Sequence, residues 1–163
     1  MSRILLLVTG LLWAMAGVAP AAPAEQLKSF DQLMAALKSG EQVRVVIHYG
    51  RCILVSGKDT IPAPQAVGGM PLGTFEYFAA NSIGNPQAFV TFSETVLITT
   101  RKGKYLYNYV KLKAFQDGRV EIIARYLRPK DFKTMMDETF YGRIGEGGEA
   151  DQVCFYRPGA ANR

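Results

Sequence analysis

The sequence predicts a mainly β protein, an antiparallel barrel or two-sheet sandwich of about 7–8 strands with one short N-terminal helix. Three observations carry this. Short runs of alternating apolar and polar residues recur from Val43 to Arg157, bounded by Gly, Pro and Asn. Two glycine-containing connections, Arg101-Lys102-Gly103 and Gln116-Asp117-Gly118, suit three-residue hairpins. Sustained helical spacing occurs near the N-terminus, between Phe30 and Leu37.

The chain has 163 residues and opens on a leader pattern. Arg3 supplies a positive start, and Ile4 to Val18 is an apolar stretch too short and too early to read as a spanning helix. Ala22-Pro23-Ala24 satisfies the small-x-small cleavage rule. The expectation is a signal peptide over residues 1–24, removed after Ala24, with 25–163 forming one domain. With no cysteine at the cleavage site and no twin arginine, the general secretion route is the one expected. Nothing later is apolar for long enough to span a bilayer, so the mature chain is expected in the periplasm or outside the cell. Two cysteines in an oxidising compartment, Cys52 and Cys154, read as a disulfide. Its loop of roughly 100 residues corresponds to about 4–5 kcal/mol in the chain-entropy model. The alternative is two free thiols, with Cys52 a nucleophile beside His48. The formal charge is +5, and +4 once Arg3 leaves with the leader (18 basic against 14 acidic residues). That favours solubility and weak attraction to anionic lipid, polysaccharide or nucleic acid without selecting one. The basic residues are spread along the sequence rather than blocked.

Ser29 is the expected N-cap of the helix, with Gln32 as its capping-box partner, Phe30, Leu33, Met34 and Leu37 as its apolar face, and Gly40 ending it. Val43, Val45, Ile47 and Tyr49 alternate as the core side of a first strand, leaving Arg44, Val46 and His48 on the other. Gly50 ends that alternation or marks a bulge, and Ile53-Leu54-Val55 extends the strand beyond it. Gly57 to Gly73, with Pro62, Pro64, Pro71 and Gly68-Gly69, reads as a long loop, either functional or a plain insertion. Strands follow at Thr74–Ala79, Ala88–Ser93 and Thr95–Thr100, with a turn-rich break from Asn81 to Pro86.

The second hairpin fixes its own register. A three-residue loop pairs Ala114 with Val120, Leu112 with Ile122 and Val110 with Ala124, all apolar; the opposite face pairs Lys113 with Glu121 and Tyr109 with Arg125. A two-residue turn would put Glu121 and Arg125 on the core face, so the pattern selects three. The same reasoning pairs Ile98 with Leu106, making Thr95–Leu127 a three-stranded meander. Pro129 to Met136 reads as a helical turn with an early proline. Strands around Asp137–Ile144 and Asp151–Arg157 close the fold, and Ala160–Arg163 is expected to fray. A first and a last strand tied together suit a closed barrel or a sandwich.

Chemistry-bearing residues are few. His48 has no clustered carboxylates for a metal site, and a Cys–His dyad would need Cys52 as thiolate. Tyr105, Tyr107, Tyr109, Lys111 and Lys113 share one strand face, where aromatics interleaved with cations can stack on a ligand or simply form a half-exposed sheet face. Phosphate-loop, nucleophile-elbow, zinc-protease and calcium-loop spacings are absent, so no cofactor or metal is expected.

One resemblance joins these features. Ser29-Phe30-Asp31-Gln32-Leu33 with Leu37 and Gly40, then Val43 to Cys52, Phe92-Ser93 with Thr95 and Leu97, Val110-Lys111-Leu112, Asp117-Gly118-Arg119-Val120, Leu127 with Pro129, and Val153 with Phe155-Tyr156 resemble the VirK family of small exported bacterial proteins. Cys52 matches the family motif, while Cys154 sits later against the closing strand than the family pattern has it. The resemblance implies a periplasmic or secreted protein of plant- or animal-associated bacteria, linked by the family name to virulence, and carries over no catalytic residue. The resulting expectation is an exported, non-enzymatic binding protein. It would use the Gly57–Gly73 loop or the face of Tyr105, Tyr107, Tyr109 and Lys111, with His48, toward an unidentified protein, glycan or small molecule and no specific nucleic acid. The alternatives are a β-barrel enclosing a small ligand and a hydrolase or redox enzyme using His48 and Cys52.

Overall fold

The computed structural model describes residues 23–159. The expected leader lies outside the described residues except for Pro23 and Ala24, and so do residues 160–163. The chain runs β1 (Glu25–Leu27), α1 (Phe30–Lys38), β2 (Val43–His48), β3 (Ile53–Ser56), β4 (Asp59–Ile61), β5 (Val67–Leu72), β6 (Phe75–Phe78), β7 (Phe89–Thr99), β8 (Tyr105–Phe115), β9 (Arg119–Leu127), β10 (Thr134–Arg143) and β11 (Val153–Arg157). Two antiparallel sheets form, a small one ordered β1-β11-β2-β5 and a large one ordered β4-β3-β10-β9-β8-β7-β6. The architecture is a two-sheet sandwich; the sheets do not close into a barrel.

The helix follows its sequence signals. Ser29 Oγ accepts from the Gln32 amide at 3.2 Å, a cap of about 1 kcal/mol. Gln32 Oε1 reaches back one residue further than expected, accepting from the Lys28 amide at 2.7 Å. Gly40 sits just past the helix at φ 78, a left-handed conformation that an L side chain rarely adopts. Phe30, Leu33, Met34, Ala36 and Leu37 are buried in one cluster with Val43, Val45 and Ile47 of β2 and Phe155 of β11. That cluster includes Phe92, Leu112, Ile122 and Phe140 of the large sheet, so a single apolar layer joins both sheets.

The hairpin registers are those the alternation demands. Ala114 faces Val120, Leu112 faces Ile122, and Val110 faces Ala124, with Gly118 at φ 82 in the turn. Ile98 faces Leu106, with Gly103 at φ 73. β2 and β11 are neighbours, as a first strand closing against a last one requires.

Five expectations need correction. Ile53–Val55 does not extend β2. A single 3-10 turn at Tyr49–Arg51 carries the chain across to the other sheet, where β3 pairs with β10. The Gly57–Gly73 stretch is not irregular, because it contains β4 and β5. β5 is an edge strand, which tolerates Pro71, and its glycines answer close neighbours: a Cβ on Gly69 would lie 2.9 Å from the Val45 carbonyl oxygen. Ala88–Ser93 and Thr95–Thr100 are one continuous strand, β7. Pro129–Met136 forms no helix. Arg128 and Asp131 tie a turn together, Phe132 takes φ 55, and Met135 is the extra residue of a bulge as β10 begins.

The fifth correction is the disulfide. Cys52 and Cys154 are both buried and both free. Val153 and Phe155 are fully buried in the core, so strand alternation points Cys154 between them to the other face of the small sheet. There its Sγ lies 3.7 Å from Asp151 Oδ2. Cys52 belongs to the core cluster, and its thiol donates to the His48 carbonyl at 3.5 Å. What joins the chain ends instead is Arg157, paired with Glu25 at 3.0 Å and with Glu41 at 3.2 Å.

Candidate binding cleft between the sheets

The registers of the large sheet set its inner face in cross-strand rows. Phe92, Leu112, Ile122 and Phe140 make one row, buried under the small sheet. One step along each strand comes Glu94, Val110, Ala124 and Glu138, and the next row is Val96, Asn108, Tyr126 and Met136. β7 and β8 have 11 residues each and β2 and β5 only six, so the large sheet outruns its cover. The inner face therefore changes from apolar to mixed where the small sheet stops.

Two hollows occupy that step. One, of about 320 Å3, is lined by Met70 and Pro71 from β5 and by Glu94 and Val96 from β7. The other, of about 300 Å3, is lined by Pro64 and Ala66 on one side and Tyr126 and Glu138 on the other. Tyr49, Asn108 and Val110 line both, so the two are lobes of one cleft. Each lobe is in the size range of a small-molecule site.

Tyr49 is the divider. Its ring meets Phe140 edge-on at 4.9 Å. On its other side is Gly68, where a Cβ would come 2.9 Å from Tyr49 Cε2, so the glycine leaves the ring its space. Its backbone amide donates to the Ala66 carbonyl at 2.9 Å, which fastens the Pro64–Ala66 rim. Burial pushes the Tyr49 phenol above its ordinary range, with Cys52 and Tyr126 adding to the shift. The polar groups of the cleft are available. Glu94 and Glu138 are half-buried, and neither joins any of the five ion pairs among the described residues. They stand three strand spacings apart, about 14 Å. The cleft thus has an apolar floor of Val110 and Ala124, a carboxylate toward each end, and Asn108 and Tyr126 beside them.

The residues singled out from sequence do not converge on this cleft. Tyr105, Tyr107, Tyr109 and Lys111 do share one face of β8, but it is the outer face of the large sheet. Tyr109 and Lys111 border a shallow hollow of about 200 Å3 with Glu76 and Ser93. Tyr107 instead stacks on Phe132 at 6.0 Å. Lys113 lies over the Phe89 ring at 4.1 Å. His48 sits on the small sheet opposite Val67 and lines none of the hollows described here. The Cys52 thiol is pushed up to about 11 by burial, so it is protonated at neutral pH and is no thiolate for His48 to activate. Among the described residues no group of three or more His, Cys, Asp or Glu could hold a metal. The Gly57–Gly73 stretch does contribute, through Pro64, Ala66 and Gly68–Pro71. Sequence reading missed Glu94, Asn108, Tyr126 and Glu138. The signal was present, since the hairpin register that makes Val110 and Ala124 core-facing also turns their row neighbours Glu94 and Glu138 inward.

The architecture is an antiparallel sandwich with one long sheet, one short sheet and a cleft at their step. The chain belongs to the VirK family: the family model described as VirK protein matches residues 26–132. A solved structure, the VirK family protein lpg1832 from Legionella pneumophila, superposes with a TM-score of 0.62 at 16% identity. The match covers 80% of this chain and 97% of that one, and it shows a shared fold. No curated protein matches the sequence.

Proposed function

We propose that this VirK-family chain is an exported, non-enzymatic binding protein that holds a small, mostly apolar ligand in the two-lobed cleft, its hydrogen-bond donors meeting Glu94 and Glu138. The observation that carries the reading is the cleft itself, whose free acceptors lie beside an apolar floor. Export is supported by the leader pattern of residues 1–24 and by Glu25, directly after the expected cleavage point, being the first residue of β1. Periplasmic or secreted placement follows, and with it the host-association role that the family resemblance implies. Cys52 as a buried, protonated thiol weighs against the hydrolase and redox alternative.

A dansylated alkylamine tests this, because its apolar body and cationic end match the cleft and its emission rises on leaving water. Saturable enhancement is expected, and Val110→Trp, which fills both lobes from their shared floor, should abolish it. No saturable signal, or equal enhancement in the variant, would overturn the reading.

A further inference from the structure

The far end of the large sheet carries a surface that the cleft does not use. The β7–β8 hairpin over 100–104 and the β9–β10 turn over 128–133 lie side by side, because Tyr107 near the start of β8 faces Leu127 at the end of β9. Phe132 stacks on Tyr107 and joins the two. Arg101, Lys102, Lys104, Arg128, Lys130 and Lys133 are all exposed there. The acidic residue of these two segments is Asp131, which pairs with Arg128. The end holds six of the chain's 19 basic residues and one of its 14 acidic ones, an excess equal to the whole formal charge of +5. The rest of the chain is balanced.

Among these cations stand large apolar side chains. Leu97 is 57% exposed, Tyr105 62%, Phe132 65% and Met135 57%. Leu97, Tyr107 and Leu127 continue them as a cross-strand row on the same face of the sheet. Phe132 holds φ 55, a conformation a bulky side chain rarely takes, and so the turn projects an aromatic where Gly or Asn would serve it better. Exposed aliphatic and aromatic groups ringed by cations match the headgroup region of an anionic bilayer, where apolar tips enter the acyl boundary and lysines meet phosphates. A nucleic acid would use the cations and aromatic planes but offers nothing to Leu97 and Met135.

We propose that this end of the sheet is a docking tip for an anionic lipid surface, with Leu97, Tyr105, Phe132 and Met135 inserting and the six cations holding headgroup phosphates. The test is co-sedimentation of the signal-cleaved protein with vesicles of pure phosphatidylcholine or of phosphatidylcholine with phosphatidylglycerol. Binding is expected to the phosphatidylglycerol vesicles alone and to weaken in about 0.5 M salt. The double charge reversal Lys102→Glu with Lys130→Glu should lower it about tenfold or more. Phe132→Ser with Leu97→Ser should lower it while all cations remain, which separates insertion from simple charge attraction. Lys58→Glu, at an exposed cation outside the tip, should leave binding close to that of the parent chain. Circular dichroism confirms that each variant is folded. Equal binding to both vesicle types, no sedimentation, or a loss in the Lys58 variant matching that of the tip variants would overturn the proposal. So would tip variants that lose retention on DNA while the parent never binds vesicles.

Discussion

Reductant should leave this protein's stability unchanged. A bond between Cys52 and Cys154 would close a loop of roughly 100 residues and contribute about 4–5 kcal/mol, or about 10–20 °C of melting temperature for a domain of this size. The structure places the two thiols on different sides of the small sheet, one in the core and one beside Asp151. Thermal unfolding with and without dithiothreitol is therefore expected to give the same midpoint. Non-reducing mass spectrometry should find the mass of two thiols. A mutant cycle adds a second, independent reading. Cys52→Ala and Cys154→Ala each remove one buried sulfur, costing about 1 kcal/mol. Separate thiols make those costs add in the double variant, whereas partners in one bond would make the second substitution nearly free. A drop of about 10 °C in reductant, or strongly non-additive costs, would refute the placement of Cys154.

Two further outcomes follow from the rims of the fold. Asp151 accepts from Gln26 Nε2 at 2.8 Å and from the backbone amides of Glu146 and Gly147, and these bonds, the Gln26 one foremost, hold its carboxyl down at about 2. A depressed carboxyl stabilises the fold above its ordinary range and loses that contribution as pH falls toward 2. Asp151→Asn should then melt below the parent at neutral pH, with the gap closing between about pH 4 and 2 in a circular dichroism series; a gap constant across that window would rule the bonds out as its source. Gly69→Ala should cost about 1–3 kcal/mol in urea unfolding, since its Cβ meets the Val45 carbonyl of the neighbouring strand rather than a movable side chain, and an unchanged midpoint would contradict the tight β2–β5 approach.

Features governed by local pattern were legible in the sequence. The hairpin at Gly118 had only one register that kept Glu121 and Arg125 out of the core, and the helix announced its cap, apolar face and terminal glycine. What failed depended on neighbours distant in sequence. Gly68 and Gly69 look like loop residues until Tyr49 and Val45 are placed against them. Two cysteines behind a leader pattern invite pairing by count, but the alternation of Val153, Cys154 and Phe155 turns one of them away. The tip was hidden for the same reason. Its cations lie three apiece in two short segments far apart in sequence, and only the meander brings them to one end. The cleft was half visible, through a row read across Val110 and Ala124 but not carried to Glu94 and Glu138 on the strands either side.

The place of β11 in the small sheet governs when the protein can fold. Among the described residues Val153–Arg157 is the last strand in sequence, yet it lies between β1 and β2, the first two. A chain made N-terminus first delivers β1 and β2 long before their shared partner. The hairpins of β7 to β10 can zip locally in that interval and β2 can pair with β5, but β1 has no strand to close against and the other edge of β2 stays open. Pairing β11 with β1 and β2 is therefore the longest-range step in building the small sheet. Loss of Val153–Arg157 would leave β1 without a partner strand and strip one edge of β2 of its ladder.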